Sequence, residues 1–262
     1  MSTAMHVETI DMSRPGIPMS RLVQVELRKL VNTRAGFWLV ISMAIIAALI
    51  TTGLLIFAED STLTFGQMSG LMNIPTGFLL PVLAILLVTG EWTQRTGLVT
   101  FTLEPRRSRI VVAKFITAII AAVGAVILAF AFGAIGNILA GVFHGGQAGS
   151  WDMTTAGVVN SIILQLSGLF LGFAFAMLIM NSAAAIVLYF VLPSIWSLVG
   201  SVVPWLRDHI QPWADFSFTQ TPLQSGEWAT GKEWAHFAVA GTIWLIIPLC
   251  LGVMRLLRSE VK

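Results

Sequence analysis

The stretch FWLVISMAIIAALITTGLLIF, Phe37–Phe57, runs for 21 residues without an ionisable side chain. As a helix it covers about 30 Å, the thickness of a bilayer's hydrocarbon core. Five further apolar runs follow: from Phe65 or Ile74 to Thr89, Ile110–Val142, Val158–Met180, Ala183–Val203 and Trp234–Leu257. Mean hydropathy is +0.85 and only 11% of residues are charged, where a soluble domain carries roughly 25%. The chain therefore reads as an all-α integral membrane protein of six transmembrane helices. It forms one transmembrane domain, residues 19–262, behind a flexible cytoplasmic arm, residues 1–18.

Charge sets the expected orientation. The arm carries Glu8 and Asp11, then Arg21, Arg28, Lys29 and Arg34 before any apolar run. It has no short apolar region with a cleavage site, so no signal peptide is expected. With both termini cytoplasmic, all of the 15 basic residues except Arg207 and Lys232 fall inside, as the positive-inside rule requires. The outer segments hold Glu59, Asp60, Asp152, Asp208, Asp215, Glu227 and Glu233 with Trp151, Trp205, Trp213, Trp228 and Trp234, and indoles favour the membrane interface. The net charge of +2 is thus a membrane signature, and no nucleic-acid partner is expected. Cys250 is the single cysteine, which excludes intrachain disulfides and cysteine-based metal sites.

Within 19–34, Met19, Leu22, Val23, Leu27, Leu30 and Val31 recur at helical spacing opposite Arg21, Gln24, Arg28 and Asn32. This predicts a basic amphipathic helix on the cytoplasmic leaflet, with Asn32, Thr33 and Gly36 separating it from the first span. Ile110–Val142 exceeds one crossing, so it tilts or projects into the cytoplasm. Its Gly124, Gly133, Gly136 and Gly141 permit close packing, and Gly168, Gly172 and Ala176 form a small-residue ridge, read as packing within one subunit. The outer segment, 204–233, is too rich in Trp and Phe for a solvated loop; it is expected to form short helices at the surface or to dip into the membrane.

Several motifs resemble chemistry without carrying it. Gly226-Glu-Trp-Ala-Thr-Gly-Lys-Glu233 approaches a phosphate-binding loop, but Glu233 stands where the magnesium-binding hydroxyl belongs and no strand precedes it. Gly66-Gln-Met-Ser-Gly70 is not a nucleophile elbow. Buried acids and histidines, the usual proton relays, are nearly lacking from the spans, although a sodium site of backbone and hydroxyl oxygens stays open. His6, His144, His209 and His236 read as solvated or interfacial, and Glu59/Asp60 and Asp208/Asp215 as solvated loop acids. No catalytic residue, metal site or cofactor is expected in this chain.

What remains is a charged island, Glu91-Trp-Thr-Gln-Arg-Thr-Gly-Leu-Val-Thr-Phe-Thr-Leu-Glu-Pro-Arg-Arg-Ser-Arg109, closed by Lys114. As one helix it would place Trp92, Val99 and Leu103 near one face and expose Gln94, Arg95 and Thr102 until Pro105 ends it. Arg106, Arg107 and Arg109, like Arg21, Arg28 and Lys29, would face anionic headgroups. Topology accounts for the arginines but not for the length, since the next cytoplasmic turn is Asn181-Ser182 alone.

Glu91 ending the second span, Gly97, the Pro105-Arg106-Arg107 corner and Lys114 opening the third resemble the membrane subunits of ABC-2-type ATP-binding cassette transporters. So does the order of elements: surface helix, two spans, cytoplasmic segment, four spans, and an outer segment before the last. The resemblance covers nearly the whole chain, though its motif is short. It implies a type V exporter-like transmembrane domain in a bacterial cytoplasmic membrane. Segment 91–109 would be the coupling segment on a separate ATPase subunit, present in two copies, which alone binds ATP and Mg. Glu91 would anchor that segment, and Trp92, Gln94, Arg95, Thr96, Val99 and Thr102 would contact the ATPase. A second permease subunit, identical or related, would complete the path, lined in part by Asn137, Asn160 and Gln165. Each of these three also suits a helix-to-helix hydrogen bond. The reading is thus a permease exporting an amphipathic or lipid-like compound. Its alternatives are a membrane enzyme using His144, His209 or Asp208 and a scaffold or immunity-type membrane protein.

Overall fold

The computed structural model describes residues 16–94, 96–145 and 148–258. Most of the 1–18 arm and Arg95 lie outside the described residues. Helix α1 spans Met19–Asn32 and α2 spans Arg34–Phe57. Thr33 stands between them in extended conformation, and its hydroxyl caps α2 by accepting from Gly36 N. Gly36 is required here, because a Cβ would stand 1.8 Å from the Leu30 carbonyl oxygen. The amphipathic helix is therefore a separate element folded tightly against the start of the first long helix.

Next come α3 (Phe65–Thr93), α4 (Gly97–Leu103), α5 (Arg107–Phe143), α6 (Thr155–Ile179) and α7 (Ser182–Val202). The 204–233 segment contains α8 (Pro204–His209), α9 (Gln211–Ala214), α10 (Phe216–Thr219) and a 3₁₀ turn at Thr221–Gln224. These are the short helices expected there. The final apolar helix is α11 (Gly231–Gly241) joined to α12 (Ile247–Arg258) through a π-helical turn at Thr242–Ile246. Among the described residues six helices are long and apolar enough to cross a membrane: α2, α3, α5, α6, α7 and the composite last one. No strand occurs among the described residues. The architecture is that of a multi-pass, all-helical membrane protein.

Burial ranks the helices. In their most apolar stretches α3 and α6 bury 56% of residues and α2 and α7 only 17%, so α3 and α6 form the axis. The outward faces of α2, α5 and α7 carry Leu49, Ile127 and Leu198 exposed, which water would penalise and lipid tails would not. The axis is close because Gly172 has no side chain: a Cβ there would lie 2.7 Å from the Pro81 carbonyl oxygen. The Gly168, Gly172, Ala176 ridge thus packs inside the chain. Gly133 and Gly136 of α5 admit Ser69 and Met68 of α3, whereas Gly124 faces open space.

Segments placed on one side by the charge argument meet at one end of the bundle. Ser182 Oγ shares hydrogen bonds with Thr89 and Thr93 hydroxyls at 2.7 and 2.8 Å, and Arg107 donates to the Leu256 carbonyl at 2.8 Å. At the other end Gly149 N donates to Leu63 O, Thr154 Oγ1 to Gly226 O and Asn160 Nδ2 to Glu227 O. Among the described residues Arg207 and Lys232 are the only basic residues in segments at this second end.

Candidate functional site

At the basic end, the last turn of α3 brings Glu91 between two helices. The i,i+3 spacing of Glu26 and Lys29 presents both to it from α1, and Lys114 reaches it from the second turn of α5. Lys114 Nζ lies 2.7 Å from Glu26 Oε2 and 3.4 Å from Glu91 Oε1, and it donates to the Leu87 carbonyl at 2.9 Å. Lys29 Nζ lies 2.7 Å from Glu26 Oε1 and 3.0 Å from Glu91 Oε1. Glu26, Glu91 and Lys114 are 3–4% exposed. Burial alone pushes the Glu26 carboxyl up, but Lys114 and Lys29 outweigh it and hold the group below the usual carboxylate range. For Lys29 burial acts downward and the Glu26 and Glu91 carboxylates win, raising it. Two acids and two bases thus bind α1, α3 and α5 into one frame. Glu91 Oε2 is buried without a hydrogen-bond partner.

Beyond this frame the chain leaves the bundle. Thr96 N returns to Glu91 O at 2.9 Å, α3 ends at Thr93, and α4 begins at Gly97. Trp92 on α3 and Val99 and Leu103 on α4 thus stand on two separate helices rather than on one continuous helix. Trp92 is half-buried and meets Phe101 at 6.5 Å, with Arg107 5.0 Å above the Phe101 ring. Leu98, Val99 and Leu103 are 56–69% exposed, together with Gln94, Thr96 and Thr102. A cavity of about 620 Å³ lies between α4 and α1, walled by Leu22, Val25, Leu86 and Leu87 and reaching Glu26, Glu91 and Lys114.

The arginine corner is braced. Arg109 Nη1 pairs with buried Glu104 at 2.7 Å, and Arg109 Nη2 donates to the Ile17 carbonyl. Arg107 ties to the end of α12. Arg21, Arg28 and Arg106 are exposed. Glu26 escaped the sequence reading because amphipathic counting files an acid with the polar face. Its spacing to Val23 and Leu30 places it on the buried stripe, and that was the available signal.

Asn137, Asn160 and Gln165 are buried. Asn137 donates to Gly149 O at 3.0 Å and Asn160 to Glu227 O at 2.8 Å. Gln165 Nε2 meets Asn73 Oδ1 at 3.0 Å and Thr76 Oγ1 at 2.6 Å. Of the three, Gln165 alone lines the larger cavity of about 790 Å³ at the opposite end.

The remaining candidates are held by structure. His144 bonds Asp60 Oδ1 and Leu55 O, each at 2.8 Å, His209 bonds Trp205 O, and Asp208 pairs with Arg207. These three are not hydrogen-bonded to one another among the described residues. Asp215 is not the solvated acid expected: at 1% exposure it caps α10 through Phe218 N and accepts from Ser197 Oγ and Gln211 Nε2. The near phosphate loop is a helix start, a capping box of Thr230 and Glu233. Among the described residues no group of three or more His, Cys, Asp or Glu side chains is placed to hold a metal ion. No protein-family model and no curated protein matches this chain.

Proposed function

We propose that the chain is the permease subunit of an ATP-driven ABC-2-type transporter, exporting an amphipathic compound under the force of a separate ATPase. The observation that carries this reading is the Glu26/Lys29/Glu91/Lys114 frame, from which exposed α4 projects. A push on α4 passes through the Thr96 N–Glu91 O hydrogen bond to the end of α3, and from Glu91 to α1, α3 and α5 together. An apolar ridge of Leu98, Val99 and Leu103 beside polar Gln94, Thr96 and Thr102 suits a protein partner more than lipid alone. ATP and Mg then belong to the partner, expected in two copies, with a second permease subunit completing the path.

Purification from the native host in mild detergent tests this. An ATP-binding subunit identified by mass spectrometry, lost when Trp92–Leu103 is replaced, is the expected result. A chain that purifies without any ATPase, under conditions that preserve other membrane complexes, overturns it. Glu91→Ala is expected to uncouple ATP hydrolysis from transport through collapse of the frame. Retained coupling in that variant removes Glu91 from the mechanism.

A further inference from the structure

The 790 Å³ cavity lies between α3, α6, α7, α10 and the turn that follows, within the roughly 300–1,000 Å³ typical of small-molecule sites. One buried polar group in its wall lacks a donor. Gln165 Oε1 is buried without a partner, and its amide cannot be turned around. Nε2 already faces the Asn73 carbonyl, Asn73 Oδ1 and Thr76 Oγ1. The Asn73 main-chain carbonyl can only accept, and the Thr76 hydroxyl is directed at the Met72 and Asn73 carbonyls.

Prolines add to this demand. Pro75 and Pro81 inside α3 and Pro193 inside α7 supply no N–H to the carbonyls four residues earlier. Those carbonyls belong to Leu71, Gly77 and Tyr189, and all three residues line the cavity. The carboxylates of Asp152 and Glu227 stand at its exposed rim, and neither is in an ion pair among the described residues. Among the described residues no lysine, arginine or histidine lines the cavity. Phe78 and Phe190, stacked at 5.9 Å, supply an aromatic wall, and ring faces attract cations.

We propose that this cavity binds an amphipathic organic cation bearing a primary ammonium group. The ammonium is attracted by the rim carboxylates and donates to Gln165 Oε1 and the proline-released carbonyls, while its apolar body lies against Phe78 and Phe190. An anionic ligand meets carboxylates with no compensating cation. That the bound compound is transported cargo rests on the permease reading; that it binds does not.

The test is a fluorescence titration of the full-length protein in lipid nanodiscs, using dansylcadaverine and its N-acetylated form as probes. The free amine is expected to bind about tenfold or more tightly than its neutral analogue, as hydrogen bonds from a charged donor exceed neutral ones. Glu227→Gln, an exposed change that leaves the fold intact, is expected to weaken the amine about two- to fivefold and to leave the neutral probe unaffected. Gln165→Leu is expected to abolish the preference. Equal binding of both probes, or a preference untouched by both substitutions, overturns the proposal. Cation binding without a co-purifying ATPase would sink the permease reading and leave the site standing; an ATPase coupled to a chain indifferent to the amine would do the reverse.

Discussion

Lys114→Met removes the cation that joins all three helices of the basic end. It leaves Glu26 and Glu91, both almost fully buried, facing each other with one base, Lys29, whose side chain is 39% exposed. Breaking a buried ion pair by deleting one partner costs roughly 3–5 kcal/mol, chiefly because the survivor stays buried and uncompensated. Lys29, 2.7 Å from Glu26 and 3.0 Å from Glu91, offsets part of this, which sets the expectation near the lower end, about 3 kcal/mol. The Leu87 carbonyl also loses its donor. Replacing the whole set, with Glu26→Gln and Glu91→Gln added to Lys114→Met, removes the uncompensated charge and is expected to recover most of the loss. Denaturant unfolding of the purified protein in a fixed detergent measures both differences. A single variant that loses less than about 1 kcal/mol, or a triple variant no more stable than the single, refutes the argument that the charges depend on one another.

Gly36→Ala is expected to pry α1 from α2, since its Cβ would stand 1.8 Å from the Leu30 carbonyl; overpacking of this kind costs about 1–3 kcal/mol, and accelerated proteolysis at 32–36 would register it. Gly172→Val is expected to separate α3 from α6, because even a Cβ meets Pro81 O at 2.7 Å; unfolding unchanged from the parent would contradict the close axis. The docking of α1 is also expected to depend on pH at both extremes. The lowered Glu26 contributes stability above its ordinary 4.5 that is lost as pH falls through its native value. The raised Lys29 contributes below its ordinary 10.5 and is lost as pH rises through its native value. Spin-label distances between α1 and α5 should therefore stay constant between those limits and lengthen beyond them.

The bundle was legible because the period and length of apolar runs leave few alternatives once a bilayer is the solvent. Six apolar stretches and the bias of lysine and arginine determine which connections share an end. The site was less legible. Glu91 and Lys114 stood out as lone charges beside apolar runs, but their partner Glu26 lies in a segment with many other charges, and only three-dimensional packing turns it inward. Arg107 and Arg109 stand out by their charge, whereas they also donate to main-chain carbonyls of Leu256 and Ile17, for which a sequence carries no mark. Val99 and Leu103 share a face with Trp92 only in a continuous helix, and the helix is not continuous: α3 ends at Thr93 and α4 starts at Gly97. Asp215 was misread for a similar reason, since its partners Ser197 and Phe218 come from different helices.

The π-helical turn at Thr242–Ile246 places one extra residue in the middle of the last membrane helix. Each residue rotates a helix by about 100°, so this turn sets the face of α12 independently of the face of α11. A Cβ at Gly252 would stand 2.7 Å from Met177 and Leu178 of α6, while Trp244 within the turn bonds the Ala214 carbonyl at 2.7 Å. Deleting a single residue between 242 and 246 would swing Gly252 away from α6 and put a neighbour's bulk in its place. A one-residue change in this turn therefore alters which surface of α12 faces the bundle without changing the helix's chemistry.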